Sequence, residues 1–250
     1  MPSDNEERKR GLDMAFILGY NYSWIRDKLI MNDLMLNNYD SFLKILCEKT
    51  EVRFRNEQRE AFLMMLRVES ITWTVKYSED LAAISYAFGK GHFKINETLK
   101  DYRTADVKEF FKKVTIADYE YIQKILGYPE LQRIESDQKE IMGKSADVAK
   151  QYYNQVKTFY DKYNDLYNCY KHGLRLMPVM GEGDENCILK FPSKKNGEFE
   201  IEVLDRKECV DEYASALKVA GTIFTLLDAM FQNHRAWYFG TGERYECSVI

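Results

Sequence analysis

The sequence predicts a mainly α-helical protein, a helical bundle with one β-hairpin inserted near residues 187–204. Three observations predict this fold class. Only four prolines occur in 250 residues, and none lies between Pro2 and Pro129, which permits long helices. Apolar residues recur at alternating spacings of three and four along two long segments. Aromatic residues make up 14% of the chain, which favours a well-packed interior over disorder.

The first half of the chain reads as a series of helices. They are predicted over residues 23–49, 55–88, 104–114 and 116–126. The first is expected to break at the polar pair Asn37-Asn38. The second is apolar on more than one face, which predicts deep burial. The third helix is expected to start at Thr104, with residues 104–107 as its capping segment, and Gly127 is expected to end the fourth.

The most informative segment, residues 145–173, is predicted to be a helix that Ser145 caps and Gly173 ends. One face carries an apolar stripe of Ala149, Tyr152, Val156, Phe159, Tyr163, Leu166 and Tyr170. At about 100° per residue, the opposite face carries Asp161, Asp165, Asn168 and His172. This polar row is either a solvated back or a cleft or dimer surface that faces a second helix.

The next segment changes character. Residues 178–183 are loop-like, whereas residues 188–191 and 199–203 alternate apolar and polar side chains as half-buried strands do. The Asn196-Gly197 pair between them is a strong hairpin-turn signal. Residues 210–231 return to a helical stripe, and this helix can pack antiparallel against the preceding one.

Length and charge limit the classes of protein that fit. Residues 1–250 are expected to form a single helical domain, with residues 1–50 as a candidate semi-independent N-terminal helical segment. The formal net charge of -4 does not give the basic field of a dedicated nucleic-acid-binding protein. No run reaches about 18 apolar residues, so no membrane partner is expected.

Cysteine usage and the first residues predict a cytoplasmic protein. The opening sequence, MPSDNEERKR, is polar and charged and does not resemble a secretory signal. The five cysteines are odd in number and widely scattered, which indicates reduced thiols and not a disulfide framework.

Common catalytic and metal-binding motifs are absent from the sequence. It has no P-loop, no dinucleotide-binding GxGxxG after a strand, no HExxH and no GxSxG, so no cofactor is predicted. Cys169 and His172 have a metal-ligand spacing, but no second Cys/His pair is nearby, and a zinc site needs three or four ligands. No metal site is predicted. His234 falls in phase with the last apolar stripe and is expected to be packed and hydrogen-bonded, whereas His92 follows a helix end.

The candidate catalytic residues are His172, Asn168 and Lys171. Histidine is suited to acid–base chemistry at neutral pH, and the neighbouring lysine could stabilise a developing phosphate charge. The asparagine one turn earlier could orient the imidazole or bind a substrate oxygen. A structural explanation exists as well, since a Lys-His pair in a last turn favours the helix dipole and Gly173 ends the helix.

The segment Tyr167-Asn-Cys-Tyr-Lys-His-Gly173 resembles the helix-borne motif of HEPN-superfamily proteins. The resemblance implies a helical bundle, dimeric in many members, and in several members a metal-independent ribonuclease of prokaryotic toxin and defence systems. Asn168 and His172 match the Asn and His of that motif, whereas Tyr167 stands where the family has an Arg. Without this Arg, either Lys171 substitutes for it or the protein is catalytically silent.

Two functions are therefore expected. The first is a non-catalytic helical interaction protein in a prokaryotic defence or toxin–antitoxin context, whose partner is a second copy, as a homodimer, or another protein. The alternative is a metal-independent HEPN-like ribonuclease that uses His172, Asn168 and Lys171, with RNA as its partner. A concave, positively charged surface around His172 would favour the nuclease, and a flat or filled one would favour the interaction protein.

Overall fold

The computed structural model describes residues 4–50, 56–91, 94–128, 136–173, 175–179, 187–191, 201–239 and 250. Its helices are α1 (Asp4–Gly19), α2 (Trp24–Asn37), α3 (Tyr39–Thr50), α4 (Asn56–Lys90), α5 (Ile95–Asp101), α6 (Thr104–Val114), α7 (Tyr119–Leu126), α8 (Ser136–Lys171) and α9 (Arg206–Phe239). Its strands are β1 (Leu176–Val179), β2 (Cys187–Lys190) and β3 (Glu202–Asp205). The prediction of a mainly α-helical fold with a small inserted β-element is confirmed.

The chain divides into two compact units. Unit 1 consists of Met1–Ser23, Tyr77–Thr158 and Gly221–Ile250, and unit 2 of Trp24–Lys76 and Phe159–Ala220. The long helices α4, α8 and α9 each contribute residues to both units. Residues 1–50 are divided between the units after Ser23, and their semi-independence within a single domain stays a prediction.

Unit 1 contains an aromatic core between α1, α4 and α9. The ring of Phe231 is fully buried, and its centroid lies 4.8 Å from that of Tyr22 and 5.4 Å from that of Phe88. Tyr77 donates a hydrogen bond to the backbone carbonyl of Tyr22 at 2.6 Å. Because large aromatic rings bury much apolar area, this cluster anchors the end of α1 and the residues that follow it.

A buried carboxylate joins α1 to α5. Asp13 accepts hydrogen bonds from the backbone N–H of Asn96 at 2.8 Å, from the Asn96 side-chain amide at 2.7 Å and from the backbone N–H of Ile95 at 3.3 Å. These bonds satisfy donors at the start of a short helix, where a negative charge is also favoured. The sequence did not predict α5, since the partner that stabilises its first turn lies far away in the chain.

Helices α6 and α7 each begin where a carboxylate accepts a backbone N–H. Helix α6 has its predicted bounds and starts at Thr104 as expected, and the carboxylate of Asp106, in the predicted capping segment, accepts the backbone N–H of Arg103 at 2.7 Å. Helix α7 starts at Tyr119 and not at residue 116, because the Asp118 carboxylate accepts the backbone N–H of Tyr121 at 2.9 Å. In both helices a carboxylate satisfies an N-terminal donor and decides where the helix begins.

Side chains of α9 contact the last backbone carbonyls of α7. Gly127 has a left-handed φ of 71° and ends the helix as predicted. The side-chain amide of Asn233 donates to the carbonyl of Leu126 at 3.0 Å, and Nε2 of His234 lies 3.0 Å from the carbonyl oxygen of Ile125. The prediction of a packed, hydrogen-bonded His234 is confirmed. His92 lies outside the described residues.

Helices α8 and α9 are both longer than predicted. Helix α8 begins at Ser136, so Ser145 is not its cap. Instead Ser145 is buried, with its hydroxyl hydrogen-bonded to the Tyr128 hydroxyl and accepting the backbone N–H of Ile250 at 2.8 Å. Helix α9 extends the predicted 210–231 segment at both ends, and Asp205 caps it by accepting the backbone N–H of Glu208 at 2.7 Å.

The β-element in unit 2 has three strands and not two. The strands form an antiparallel sheet in the order β1-β2-β3, with Ile188 opposite Pro178 and Leu204. Strand β1 includes Pro178 and Val179, which belong to the segment 178–183 that was predicted to be loop-like. It forms because α8 ends sharply at Gly173 and the backbone N–H of Phe191 then bonds the carbonyl of Arg175 at 2.9 Å. The predicted Asn196-Gly197 turn lies outside the described residues.

Helix α9 also contains the one described segment that is long and apolar enough to span a membrane, Arg206–Tyr238, with a mean hydropathy of 1.4 in its most apolar window. Half of that window is buried inside the protein. The core helix of a soluble protein has the same composition, so length and hydropathy do not by themselves identify a membrane span. A cytoplasmic location stays a prediction.

Candidate functional site

The two faces predicted for α8 are present at its C-terminal half. Phe159, Tyr163 and Leu166 are buried in unit 2. Asp165 and His172 are exposed, and Asn168 is half-buried, so these polar side chains lie away from the apolar stripe. The buried face is wider than predicted, because Tyr160, Asn164 and Tyr167 are also buried.

The chain makes a sharp helix end at the candidate site. Gly173 adopts a left-handed φ of 66°, and its backbone N–H bonds the carbonyl of Tyr170 at 3.0 Å. The backbone N–H of His172 bonds the carbonyl of Asn168 at 3.3 Å, as the last turn of a helix requires. This geometry accounts for the glycine and for cations near the C-terminal end of the helix dipole.

The three candidate catalytic side chains do not form a common polar arrangement. Within the described part of the chain, the imidazole of His172 and the amide of Asn168 have no hydrogen-bonding, ionic or ring partner. The ammonium of Lys171 lies 3.9 Å from the centre of the Tyr167 ring, in a cation–π contact. Asn168 therefore does not orient the imidazole, although both residues face accessible surface.

Cys169 lies in the same turn of α8, but its side chain is buried whereas that of His172 is exposed. Its thiol is buried and donates to the carbonyl of Phe191 at 3.4 Å. Burial raises the pKa of Cys169, and the positive charges of Lys190 and Arg175 oppose that rise only in part. No group of three or more His, Cys, Asp or Glu side chains among the described residues could hold a metal ion.

The cation of β2 is already paired, which limits the positive charge that a phosphate would meet beside β1. Lys190 forms an ion pair with Glu202 at 2.5 Å across β2 and β3. Arg175 follows the end of α8, and its backbone carbonyl continues the β1–β2 pairing.

Unit 2 contains a second polar group that sequence reasoning missed. We call it the Glu69 cluster, and it consists of Trp24 and Lys28 of α2 and of Glu69 and Trp73 of α4. Lys28 Nζ lies 2.9 Å from Glu69 Oε1 and 4.1 Å from the centre of the Trp73 ring. The Trp73 indole N–H donates to the same Oε1 at 3.1 Å.

A second indole ring packs against Trp73. The Trp24 ring packs edge-on against Trp73, with centroids 5.2 Å apart. Burial and then the negative charge of Glu69 raise the pKa of Tyr170. The spacings Trp24/Lys28 and Glu69/Trp73 each place two side chains on one helix face, which is the only signal that the sequence offered.

Exposed apolar side chains form two further surfaces in unit 2. On α2, Ile30, Met31 and Leu34 are exposed, with Met31 at 62%. On one face of the sheet, Met177 lies opposite Leu189, and Leu189 lies opposite Val203. The side chains of Met177 and Val203 are 50% and 56% exposed. Contiguous exposed apolar surface is typical of interaction sites.

Unit 1 has an open surface cleft of about 370 Å³ between α4, α5 and α6. Its lining consists of Tyr86, Lys90, Lys94, Glu97, Thr98, Asp101, Tyr102 and Asp106. Charges of both signs line it, and several are already engaged: Glu97 pairs with Lys9 at 3.7 Å, and Lys90 lies 4.9 Å from the Tyr86 ring. This lining favours no single class of ligand.

No protein-family model matches this chain, and neither a curated protein nor a solved structure shows significant similarity to it.

Proposed function

We propose that this chain is a non-catalytic helical interaction protein of the cytoplasm, in a prokaryotic defence or toxin–antitoxin context. One observation carries the proposal: His172, Asn168 and Lys171 share one helix end without forming a catalytic arrangement. A general base needs a defined orientation, and catalytic groups are normally held by neighbouring side chains. The His172 imidazole has no such partner among the described residues, and Lys171 lies against Tyr167.

The exposed apolar residues of unit 2 support a protein partner. Met31 on α2 and Val203 on the sheet are both highly accessible. Burying such side chains against another protein would release about 25 cal/mol per Å² of apolar area. The partner is a second copy of this chain or another protein.

The alternative is a metal-independent HEPN-like ribonuclease, and one observation favours it. His172 is exposed at a helix end, so its imidazole is within reach of a large substrate such as RNA. Lys171 or Arg175 would then supply the positive charge that stabilises the transition state. RNA is a partner only under this alternative.

RNA cleavage by the pure protein separates the two functions. Wild-type chain and His172→Ala are incubated with structured and single-stranded RNA between about pH 6 and 7, where a histidine can exchange protons. A chelator is present throughout. We expect no cleavage from either protein and matching helical circular dichroism spectra. Cleavage by the wild type that disappears in His172→Ala would overturn the interaction-protein proposal.

Sedimentation velocity over a range of concentrations then identifies the type of partner. If the partner is a second copy, the wild type associates and Met31→Asp weakens that association. Ser41→Asp is the matched control, because it adds the same charge at an exposed position of α3. If the wild type stays monomeric at every concentration, the exposed apolar surface of α2 is the binding site of another protein.

A further inference from the structure

The Glu69 cluster has a fixed framework that does not depend on Lys28. The Trp73 indole N–H bonds Glu69 Oε1 at 3.1 Å from one turn further along the same helix. Trp24 packs edge-on against Trp73. The carboxylate and the two indole rings are therefore positioned by α2 and α4 themselves, which is the preorganisation that a binding site needs.

Lys28 is an internal cation of the cluster, and it contacts only one of the two carboxylate oxygens of Glu69. Lys28 bonds Oε1 of Glu69, the oxygen that Trp73 also uses. Among the described residues, no hydrogen bond or ion pair reaches Oε2 of Glu69. The Lys28 and Glu69 side chains are 34% and 24% exposed, and Trp24 is 38% exposed, so a group from solution can reach them.

We propose that the Glu69 cluster is a recognition site for an arginine side chain of a partner protein, and that Lys28 is the internal cation which that guanidinium replaces. This inference rests on the proposed interaction function and names the chemistry that its partner presents. A guanidinium is planar and weakly hydrated, stacks on aromatic faces and donates two parallel N–H bonds to both oxygens of one carboxylate. An ammonium is a strongly hydrated point charge, which uses one oxygen at a time.

The surroundings of Glu69 suit a guanidinium better than a second lysine. The Trp73 face offers a cation–π surface, for which indole is the best of the aromatic rings. Trp24, which packs against Trp73, adds a second accessible aromatic surface. The expected order of binding is arginine, then lysine, with a neutral side chain of the same shape last.

The experiment uses the full chain and three capped amino acids as probes: N-acetyl-arginine methylamide, its lysine equivalent and its citrulline equivalent. Citrulline has nearly the shape of arginine but no charge. The indole N–H signals of the three tryptophans are followed by NMR during titration. Trp24 and Trp73 report on the cluster, and Trp237 lies in unit 1 and serves as an internal reference.

Two variants test the role of each charge. Lys28→Met removes the internal cation and nearly keeps the side-chain length. The arginine probe should then bind the variant up to about fivefold more tightly than the wild type, because one exposed ion pair contributes at most about that factor. Lys162→Met is the matched control, because Lys162 makes the same kind of contacts, with Glu212 and the Tyr163 ring, elsewhere in unit 2. Lys28→Met/Glu69→Gln should lose the gain.

The outcomes separate this inference from the proposed function. Equal binding of the arginine probe to wild type and Lys28→Met, or equal shifts with citrulline, would show that the cluster is only an internal contact between α2 and α4. That result would leave the RNA and sedimentation results standing. Conversely, His172-dependent RNA cleavage would overturn the interaction protein whatever the Glu69 cluster binds. Lys28→Met alone decides the inference if a Glu69 variant fails to fold.

Discussion

The two described histidines differ because their surroundings differ. His234 is buried, lies against Phe88 with ring centroids 4.0 Å apart and bonds the end of α7, so its ring is part of the core. His172 is exposed and has no partner among the described residues. A structural histidine is thus recognised by the groups that satisfy its nitrogens, whereas an accessible one can act only if something else orients it.

Thiol reactivity is a prediction at the same scale. Burial, with the nearby charge of Glu208, raises the pKa of Cys209 to about 11. Because the thiolate is the reactive form, Cys209 should react with an alkylating reagent at about pH 8 at least tenfold more slowly than the half-buried Cys47. Mass spectrometry of protein labelled in the folded state measures both rates. All five cysteines should react alike after unfolding, and equally fast labelling of Cys209 in the folded protein would contradict the prediction.

Helix ends in this protein are decided by short-range geometry and by distant partners together. Gly127 and Gly173 both take a left-handed φ at the end of a helix. Of these two glycines, only Gly127 is closed in by another described element, since a Cβ there would lie 2.9 Å from Cδ2 of His234. Helix α7 is therefore held by its own glycine and by α9.

Replacing that glycine should be costly. Gly127→Ala should lower the free energy of unfolding by about 1–3 kcal/mol, because alanine is strained at this φ and its methyl group would meet the His234 ring. Gly143→Ala is the matched control inside α8, where no atom of the described residues lies within 4 Å of the added Cβ, and it should raise the free energy of unfolding by about 0.5–1 kcal/mol. Denaturant unfolding measures both. A destabilising Gly143→Ala or a neutral Gly127→Ala would contradict this account.

The apolar stripe of α8 gives the other prediction for an element. Phe159 is buried, and its ring centroid lies 4.6 Å from that of Tyr163. Phe159→Ala should lower the free energy of unfolding by about 3–5 kcal/mol through lost burial and the cavity left behind. Asp165→Ala, exposed on the same helix, should change it by less than about 0.5 kcal/mol. Equal denaturation midpoints for the two variants would show that the stripe is not part of the core.

Across the whole molecule, buried tyrosine and cysteine side chains make the free energy of unfolding depend on pH in the alkaline range. Burial raises the pKa of Tyr153, that of Tyr238 to about 12 and that of Cys209 to about 11. Above about pH 8.5 for cysteine and 10 for tyrosine, the unfolded chain therefore binds fewer protons than the folded one. The free energy of unfolding must then fall as pH rises.

Guanidinium unfolding at about pH 8, 9.5 and 10.5 tests that dependence. The midpoint should fall steadily, most between the last two values, where tyrosines ionise in the unfolded chain. The slope of the unfolding line should stay constant, since the same surface is exposed at each pH. A midpoint that is flat up to about pH 10.5 would mean that these groups are not buried in solution.

Local patterns determined much of this fold. The three-and-four spacing of apolar residues predicted α8 and α9, and the apolar segment 55–88 predicted α4, because helix periodicity is a property of neighbouring residues. Gly127 and Gly173 ended their helices as expected, since a left-handed residue is a local requirement. The accessible face with Asn168 and His172 also followed from the helical angle alone.

Only the tertiary structure decided which distant groups meet. Asp13 supports α5, β1 joins a sheet with β2, and Lys28 meets Glu69 because separate elements come together. The spacing of apolar residues along the sequence does not predict such pairs, because each pair depends on how elements far apart in the chain pack. The same limit applies to the candidate site. The sequence placed His172 beside Lys171 and one turn from Asn168, but whether their side chains turn toward one another depends on contacts such as that of Lys171 with the Tyr167 ring.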